Sequence, residues 1–206
     1  MAIIYWIFPK PLTQAGIDLA DVFAGGAPEF VNGGGSRKQA DATWRPAAHM
    51  GISSWPGLVL EVGYSETLLM LRRDAKWWLE SSPTIALPDG SHKAAVEQVI
   101  IVKVDREAVT LTIESWVLSA TTRPTRNMGN RCGIATNKHP TTILTTSLRD
   151  GNTITEISGP ATFSIRWDSL FDQTPRLGES DIILDTAALK YMANTFWAQL
   201  GLGLLQ

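Results

Sequence analysis

Gly57-Leu58-Val59-Leu60-Glu61-Val62-Gly63-Tyr64-Ser65-Glu66 runs without a break into Thr67-Leu68-Leu69-Met70-Leu71-Arg72-Arg73-Asp74-Ala75-Lys76-Trp77-Trp78-Leu79. The first part has the period of a strand and the second that of a helix. In the strand, Leu58, Leu60 and Val62 share one face and Val59, Glu61 and Gly63 the other. Apolar residues on both faces predict a central strand. Glu61 interrupts that pattern, and burying an ionised carboxylate costs on the order of several kcal/mol unless a cation or strong donors meet it. In the helix, Ser65 is the expected N-cap, with Glu66 in the first turn. Leu68, Leu71, Ala75, Trp78 and Leu79 fall within one buried arc, and Arg72 and Lys76 lie on its shoulder, from where they can point along the sheet.

Upstream, Asn32-Gly33-Gly34-Gly35 is a turn signal between residues 28–31 and 36–44, which predicts a hairpin with Asp41 on its second strand. Before it, Leu12 to Phe23 reads as a short helix stopped by Gly25-Gly26. Downstream, residues 99–104 and 109–118 form a second predicted hairpin, in which Val109, Leu111 and Ile113 alternate with Thr110, Thr112 and Glu114. Residues 121–140 carry Arg123, Arg126, Arg131, Lys138 and His139 with no acidic residue, and read as a basic loop. A third hairpin, 144–148 with 153–157, turns on Asp150-Gly151-Asn152, and 162–167 adds a strand. Asp185 caps a final helix whose Leu189, Met192, Phe196 and Leu200 line one face before Gly201.

A chain of 206 residues supports one sizeable core, so a single domain is expected over 1–206, with a core at about 28–118 and an extension at about 119–206. The formal charge of −2 argues against a protein that coats nucleic acid through a generally positive surface, so any such contact must be focused. Cys132 is the lone cysteine, which excludes an internal disulfide and agrees with a reducing compartment. The apolar opening Met1 to Phe8 lacks a basic flank and is stopped by Pro9 and Pro11, well short of a membrane span or an ordinary signal peptide. It reads as a packed segment of an intracellular, soluble protein. His49, His92 and His139 show no metal-ligand spacing, and Gly33-Gly34-Gly35 precedes a strand and not a helix, so zinc and phosphate-loop chemistry are not expected.

Three segments carry a resemblance: Arg37-Lys38-Gln39-Ala40-Asp41-Ala42-Thr43-Trp44-Arg45-Pro46, then Leu58 to Glu66, then Leu71 to Leu79. Together they resemble a group of fungal proteins with the PD-(D/E)xK restriction-endonuclease-like fold and, more distantly, the bacterial Uma2 family. The resemblance implies an α/β fold, a restriction-endonuclease-like mixed central sheet flanked by helices, here with an additional C-terminal hairpin and helix. It implies a metal-dependent nuclease acting on nucleic acid, with DNA the expected substrate, and Mg²⁺ or Mn²⁺ held by Asp41 and Glu61. The residue types agree, since hard oxygen ligands suit those ions and a bound metal lowers the pKa of its water.

The family's lysine lies two residues after the glutamate, where this chain has Gly63. Lys76 or Arg72 from the helix, or Lys38 near Asp41, could reach the space. Lys76 is the expected catalytic lysine, because the Uma2-like pattern also carries a helix lysine here. Lys38, Arg72, Arg73, Arg123, Arg126 and Arg131 are the expected contacts to a phosphate backbone. The plainer alternatives are a structural ion pair of Asp41 or Glu61 with Arg37 or Lys38, a solvated helix face for Arg72, Arg73 and Lys76, and simple packing for Trp77 and Trp78. At the level of the whole chain, the rivals are a catalytically degenerate member that binds nucleic acid or protein, and an interaction module that forms a homodimer.

Overall fold

A computed structural model describes residues 19–47, 55–86, 92–121, 133–138, 141–149, 152–171, 175 and 179–200. Its centre is the strand that opens the sequence reading: β5 (Leu58–Gly63) lies parallel to β8 (Gln98–Asp105), with Glu61 opposite Ile101. The other pairings of this mixed sheet are antiparallel. β5 is flanked by β4 (Ala42–Pro46), which pairs in turn with β1 (Val22–Gly26). On the far side β8 pairs with β9 (Thr110–Thr121), and the order runs β1-β4-β5-β8-β9-β11-β12, where β11 is Thr142–Arg149 and β12 is Asn152–Ser158. Three two-stranded pieces lie outside the sheet: β2 (Glu29–Val31) with β3 (Arg37–Gln39), β6 (Thr84–Ala86) with β7 (His92–Ala94), and β13 (Phe163–Ile165) with β14 (Ile182–Leu184).

Strand β9 serves two partners along one edge. Its first half pairs with β11, Thr142 opposite Ile113, and its second half with β10 (Gly133–Lys138), Lys138 opposite Trp116. Glu114 and Ser115 sit at the fork.

Two helices cover the two faces. Helix α1 (Leu68–Ser81) lays Leu71, Ala75, Trp78 and Leu79 on Val59, Val99 and Ile101, with Phe30 of β2 closing the edge. Helix α2 (Thr186–Gln199) lies on the opposite face against β11 and β12, and its Leu189, Met192, Phe196 and Trp197 join one buried cluster with Leu58, Leu60, Ile100, Val102 and Leu111. Both faces of β5 and β8 are therefore dry, which is why these strands read as apolar runs and not as alternation. Asp185 caps α2 as expected, its side chain accepting from Ala188 N at 2.8 Å. Gly201 lies outside the described residues. No helix among the described residues is long and apolar enough to cross a membrane.

Four local expectations are corrected. Within the stretch expected as helix from Leu12 to Phe23, Leu19–Asp21 is a single 3-10 turn and Val22–Gly26 is an edge strand. Pairing with β4, Phe23 opposite Arg45, overrides the local helical pattern there. The earlier residues of that stretch lie outside the described residues. The second strand of the first hairpin is broken: β3 stays with β2, β4 joins β5, and Asp41 lies in the gap between them. The N-cap of α1 is Thr67, whose hydroxyl accepts from Met70 N at 3.3 Å, so Ser65 and Glu66 precede the helix. Finally, the stretch expected as a loop over 121–140 contributes β10, because β9 continues to Thr121 and offers a ladder edge.

Gly57 launches β5 from a crowded corner. Its N–H donates to the Trp44 carbonyl at 3.1 Å, and its own carbonyl accepts from Glu97 N and Gln98 N at 2.9 and 3.2 Å. A Cβ at this position would lie 2.2 Å from the Ser169 carbonyl oxygen, a backbone atom that cannot rotate aside. Gly57→Ala is expected to lower stability by roughly 1–3 kcal/mol through overpacking, read as a reduced midpoint in urea denaturation with an unchanged slope.

Candidate functional site

Glu61 is only 6 % exposed, on the face of β5 that α1 covers. The Trp78 indole N–H donates to its Oε1 at 2.5 Å, and Lys38 Nζ lies 3.8 Å from the same oxygen. Lys38 also pairs with Asp74 Oδ2 of α1 at 2.8 Å. The hairpin register explains the reach of Lys38: it stands opposite Phe30, so alternation turns it towards α1 while Arg37 and Gln39 face water. Arg37 instead pairs with Glu29 at 3.3 Å. These donors only partly offset the loss of hydration. Burial pushes the Glu61 carboxyl from its ordinary value near 4.5 up to about 7; Trp78 and Lys38 pull it down, and the Asp41 and Asp74 carboxylates push it further up.

Asp41 is exposed, one residue before β4 begins. Continuing the register of β4 on β5, in which Ala42 faces Leu60, sets Asp41 beside Glu61. Its Oδ2 accepts the Val62 backbone N–H at 2.6 Å and so replaces the strand carbonyl that the break removes. Both carboxylates therefore sit towards the carboxyl end of β5, which runs parallel to β8; in open α/β sheets ligands favour the crevice outside such strand ends.

Asp41 and Glu61 offer carboxylate oxygens, the donors a hard divalent ion prefers. Among the described residues no group of three or more His, Cys, Asp and Glu side chains converges to hold a metal. A two-carboxylate set fits Mg²⁺ or Mn²⁺ completed by water and substrate phosphate, and does not fit an all-protein cage.

The remaining expected residues are dispersed. The space beside Gly63 is filled by Leu71, a terminal carbon of which lies 2.8 Å from where a Cβ would stand, so a long side chain there would first have to displace the leucine. Lys76 is on the exposed side of α1 and lies 3.7 Å from Glu80, one turn along. Arg73 is exposed. Arg123, Arg126 and Arg131 lie outside the described residues, as do Cys132, His49 and His139. Trp78 is fully buried; its ring meets Phe30 and Trp77 edge-on, and Trp77 stacks on Trp55.

Arg72 does point along the sheet, but towards a residue that the sequence reading left on a polar strand face. Its guanidinium grips Glu114 with both arms, Nε to Oε2 at 3.0 Å and Nη2 to Oε1 at 2.6 Å. Trp116 Nε1 and Thr141 Oγ1 also donate to this carboxylate, each at 3.1 Å, and Glu114 is fully buried. The bidentate partner raises the Arg72 pKa above its ordinary value. On the opposite face of β9, Ser115 accepts from the buried Gln98 amide at 2.7 Å; the Gln98 oxygen accepts from Arg166 N and Ser169 Oγ.

No family model matches the chain, and no curated protein matches it.

The raised Glu61 pKa has a definite stability consequence. Between about pH 4.5 and 7 the folded protein keeps a proton that the unfolded chain has released, so this contribution is complete below about 4.5 and is lost as the pH rises through about 7. Glu61→Gln is expected to flatten that part of the stability profile, removing a fall on the order of 3 kcal/mol, measured by thermal unfolding across the range. Arg72→Met leaves Glu114 buried with its main counter-charge gone. The Arg72 side chain is 36 % exposed, so the expected loss is roughly 2–3 kcal/mol, below that for a fully buried pair, and Arg72→Met/Glu114→Gln is expected to recover part of it in the same unfolding assay.

Proposed function

We propose that the protein is a metal-dependent nuclease-like protein of the PD-(D/E)xK type, hydrolysing phosphodiester bonds in nucleic acid, with DNA as the first substrate to test. The observation that carries this reading is that Asp41, in the break just before β4, and Glu61, on β5, lie near one another towards the carboxyl end of β5. Asp41 is open to solvent, whereas Glu61 is buried with a pKa raised to about 7. A carboxylate pair of this kind is short of positive charge, which is what a divalent ion would supply. When bound, Mg²⁺ or Mn²⁺ would stabilise the negative charge on the phosphate and supply a water of lowered pKa. Asp41 and Glu61 would hold the ion, and Trp78 would fix the orientation of Glu61. In the reaction a water oxygen bonds to phosphorus, one P–O ester bond breaks, and a proton from that water ends on the leaving oxygen.

A second reading has its own support. Leu71 closes the space at Gly63, and Trp78 and Lys38 already engage Glu61, an arrangement suited to a degenerate member that binds nucleic acid or protein without cleaving.

The two readings separate in a cleavage assay on plasmid and single-stranded DNA with Mg²⁺, Mn²⁺ or EDTA. The nuclease reading expects metal-dependent cleavage that is lost in both Glu61→Ala and Asp41→Ala, while each variant still unfolds cooperatively. Equal activity in all three proteins would assign the cleavage to a contaminant or to another site. No cleavage with salt-sensitive DNA retention would favour the binding reading.

A further inference from the structure

We infer that Lys38 is the cation that the Asp41–Glu61 site presents to a phosphate, and that Asp74 is its positioning residue. The inference rests on the nuclease-like reading of those two carboxylates and replaces Lys76, the lysine expected from sequence. Lys38 Nζ lies 3.8 Å from Glu61 and 2.8 Å from Asp74, and the side chain is 20 % exposed, so it is largely packed without being sealed from solvent. The backbone that delivers it is fixed. Asn32 Oδ1 accepts from Gly34 N and Ser36 N across the hairpin turn, and Phe30, opposite Lys38, is buried against Trp78.

Other nearby cations are committed elsewhere. Arg72 is held bidentately by Glu114, and Lys76 sits beside Glu80. Lys103 stands in register with Gly63 on the neighbouring strand, but its ammonium donates to the Tyr64 and Val104 carbonyls. Leu71 closes the space above Gly63 itself. Lys38 thus approaches Glu61 from the β4 side, from a point in the chain before the aspartate instead of after the glutamate.

Asp74 gives this lysine a second anchor on α1, one helical turn before Trp78. A lysine shared between a helix carboxylate and a strand carboxylate is held near the metal-binding edge before substrate arrives. A phosphate oxygen entering beside Asp41 could then take the place of Glu61 in its contacts while Asp74 retains the amine. Asp74 acts through Lys38 in this arrangement and does not touch substrate.

The test measures single-turnover cleavage of a short labelled DNA with Mn²⁺, and retention of the same DNA with Ca²⁺ in place of Mn²⁺. The proteins are wild type, Lys38→Met, Lys38→Arg, Asp74→Asn and, as a control, Lys190→Ala on the exposed side of α2. Methionine keeps the apolar stem but not the charge that faces Glu61 and Asp74, so each variant is first checked for cooperative unfolding, and only variants that pass are compared. Lys38→Met is expected to cleave about 100-fold more slowly, the scale of losing one charged donor to a reacting phosphate, with partial recovery in Lys38→Arg or on adding methylamine. Asp74→Asn is expected to slow cleavage by about 10-fold with little change in retention. Wild-type cleavage by Lys38→Met, or a loss that neither arginine nor the amine restores, overturns the inference. If the wild type does not cleave, the nuclease reading fails separately, and retention decides the role of Lys38: weaker binding by Lys38→Met restored by arginine supports it, and unchanged binding or no binding by any protein overturns it.

Discussion

Placing a carboxylate in the middle of a strand that is covered on both faces costs hydration that the strand itself cannot return, and the fold around Glu61 is arranged to return it. The donors come from separate parts of the chain: Trp78 from α1 and Lys38 from the β2–β3 hairpin. Each is held by packing of its own, Trp78 among Phe30, Trp55 and Trp77, and Lys38 against Asp74. One buried oxygen therefore ties hairpin, strand and helix into a common arrangement. The compensation is incomplete, which is why the Glu61 pKa stays raised. Incomplete compensation within its strand is the property that separates this carboxylate from Glu114, which accepts from Arg72, Trp116 and Thr141.

Asp41 shows how an interruption in a strand becomes useful. The chain stops pairing with β2 after Gln39 and starts pairing with β5 at Ala42, and the step between leaves the Val62 N–H without a strand carbonyl. The Asp41 side chain fills that place, which fixes the carboxylate at the end of the β4–β5 ladder while keeping it in contact with water. A residue within an unbroken strand would have met the ladder with its backbone, and its side chain would have been free to turn away.

The parts of the fold that repeat were the parts legible in sequence. Alternation or continuous apolar runs located β5, β8, β9, β11 and β12, and the helical period located α1 and α2 with their buried faces. What escaped depends on partners distant in sequence. Phe23 and its neighbours join β4 as an edge strand, a contact that no local pattern encodes. Glu114 was read on the polar face of an alternating strand, yet α1 covers that face; the visible clue was Arg72 on the helix shoulder, without a sign of which strand it would meet. Within the candidate site, Asp41 and Glu61 were expected to converge if their strands paired; the pairing begins at Ala42, and Asp41 reaches β5 from the break before it, through its side chain. Lys38 was one of three cations that the sequence offered, after Lys76, and it is the hairpin register that turns it towards Glu61; the filling of the Gly63 space by Leu71 is a matter of side-chain packing across elements and left no trace in either segment alone.

The fork in β9 has a consequence for how the sheet finds its alignment. At that point two successive residues carry polar groups to opposite faces: Glu114 meets Arg72 under α1, and Ser115 meets Gln98 on the side of α2. Sliding β9 by one residue would exchange the faces, bringing a carboxylate into the α2 side of the core and leaving Arg72 and Gln98 facing the wrong strand positions. Uniform apolar strands can slip with little penalty, since one valine replaces another. Here two adjacent polar residues act as an index mark, so the register is specified once, at the branch where β10 and β11 part, and both partners of β9 inherit it.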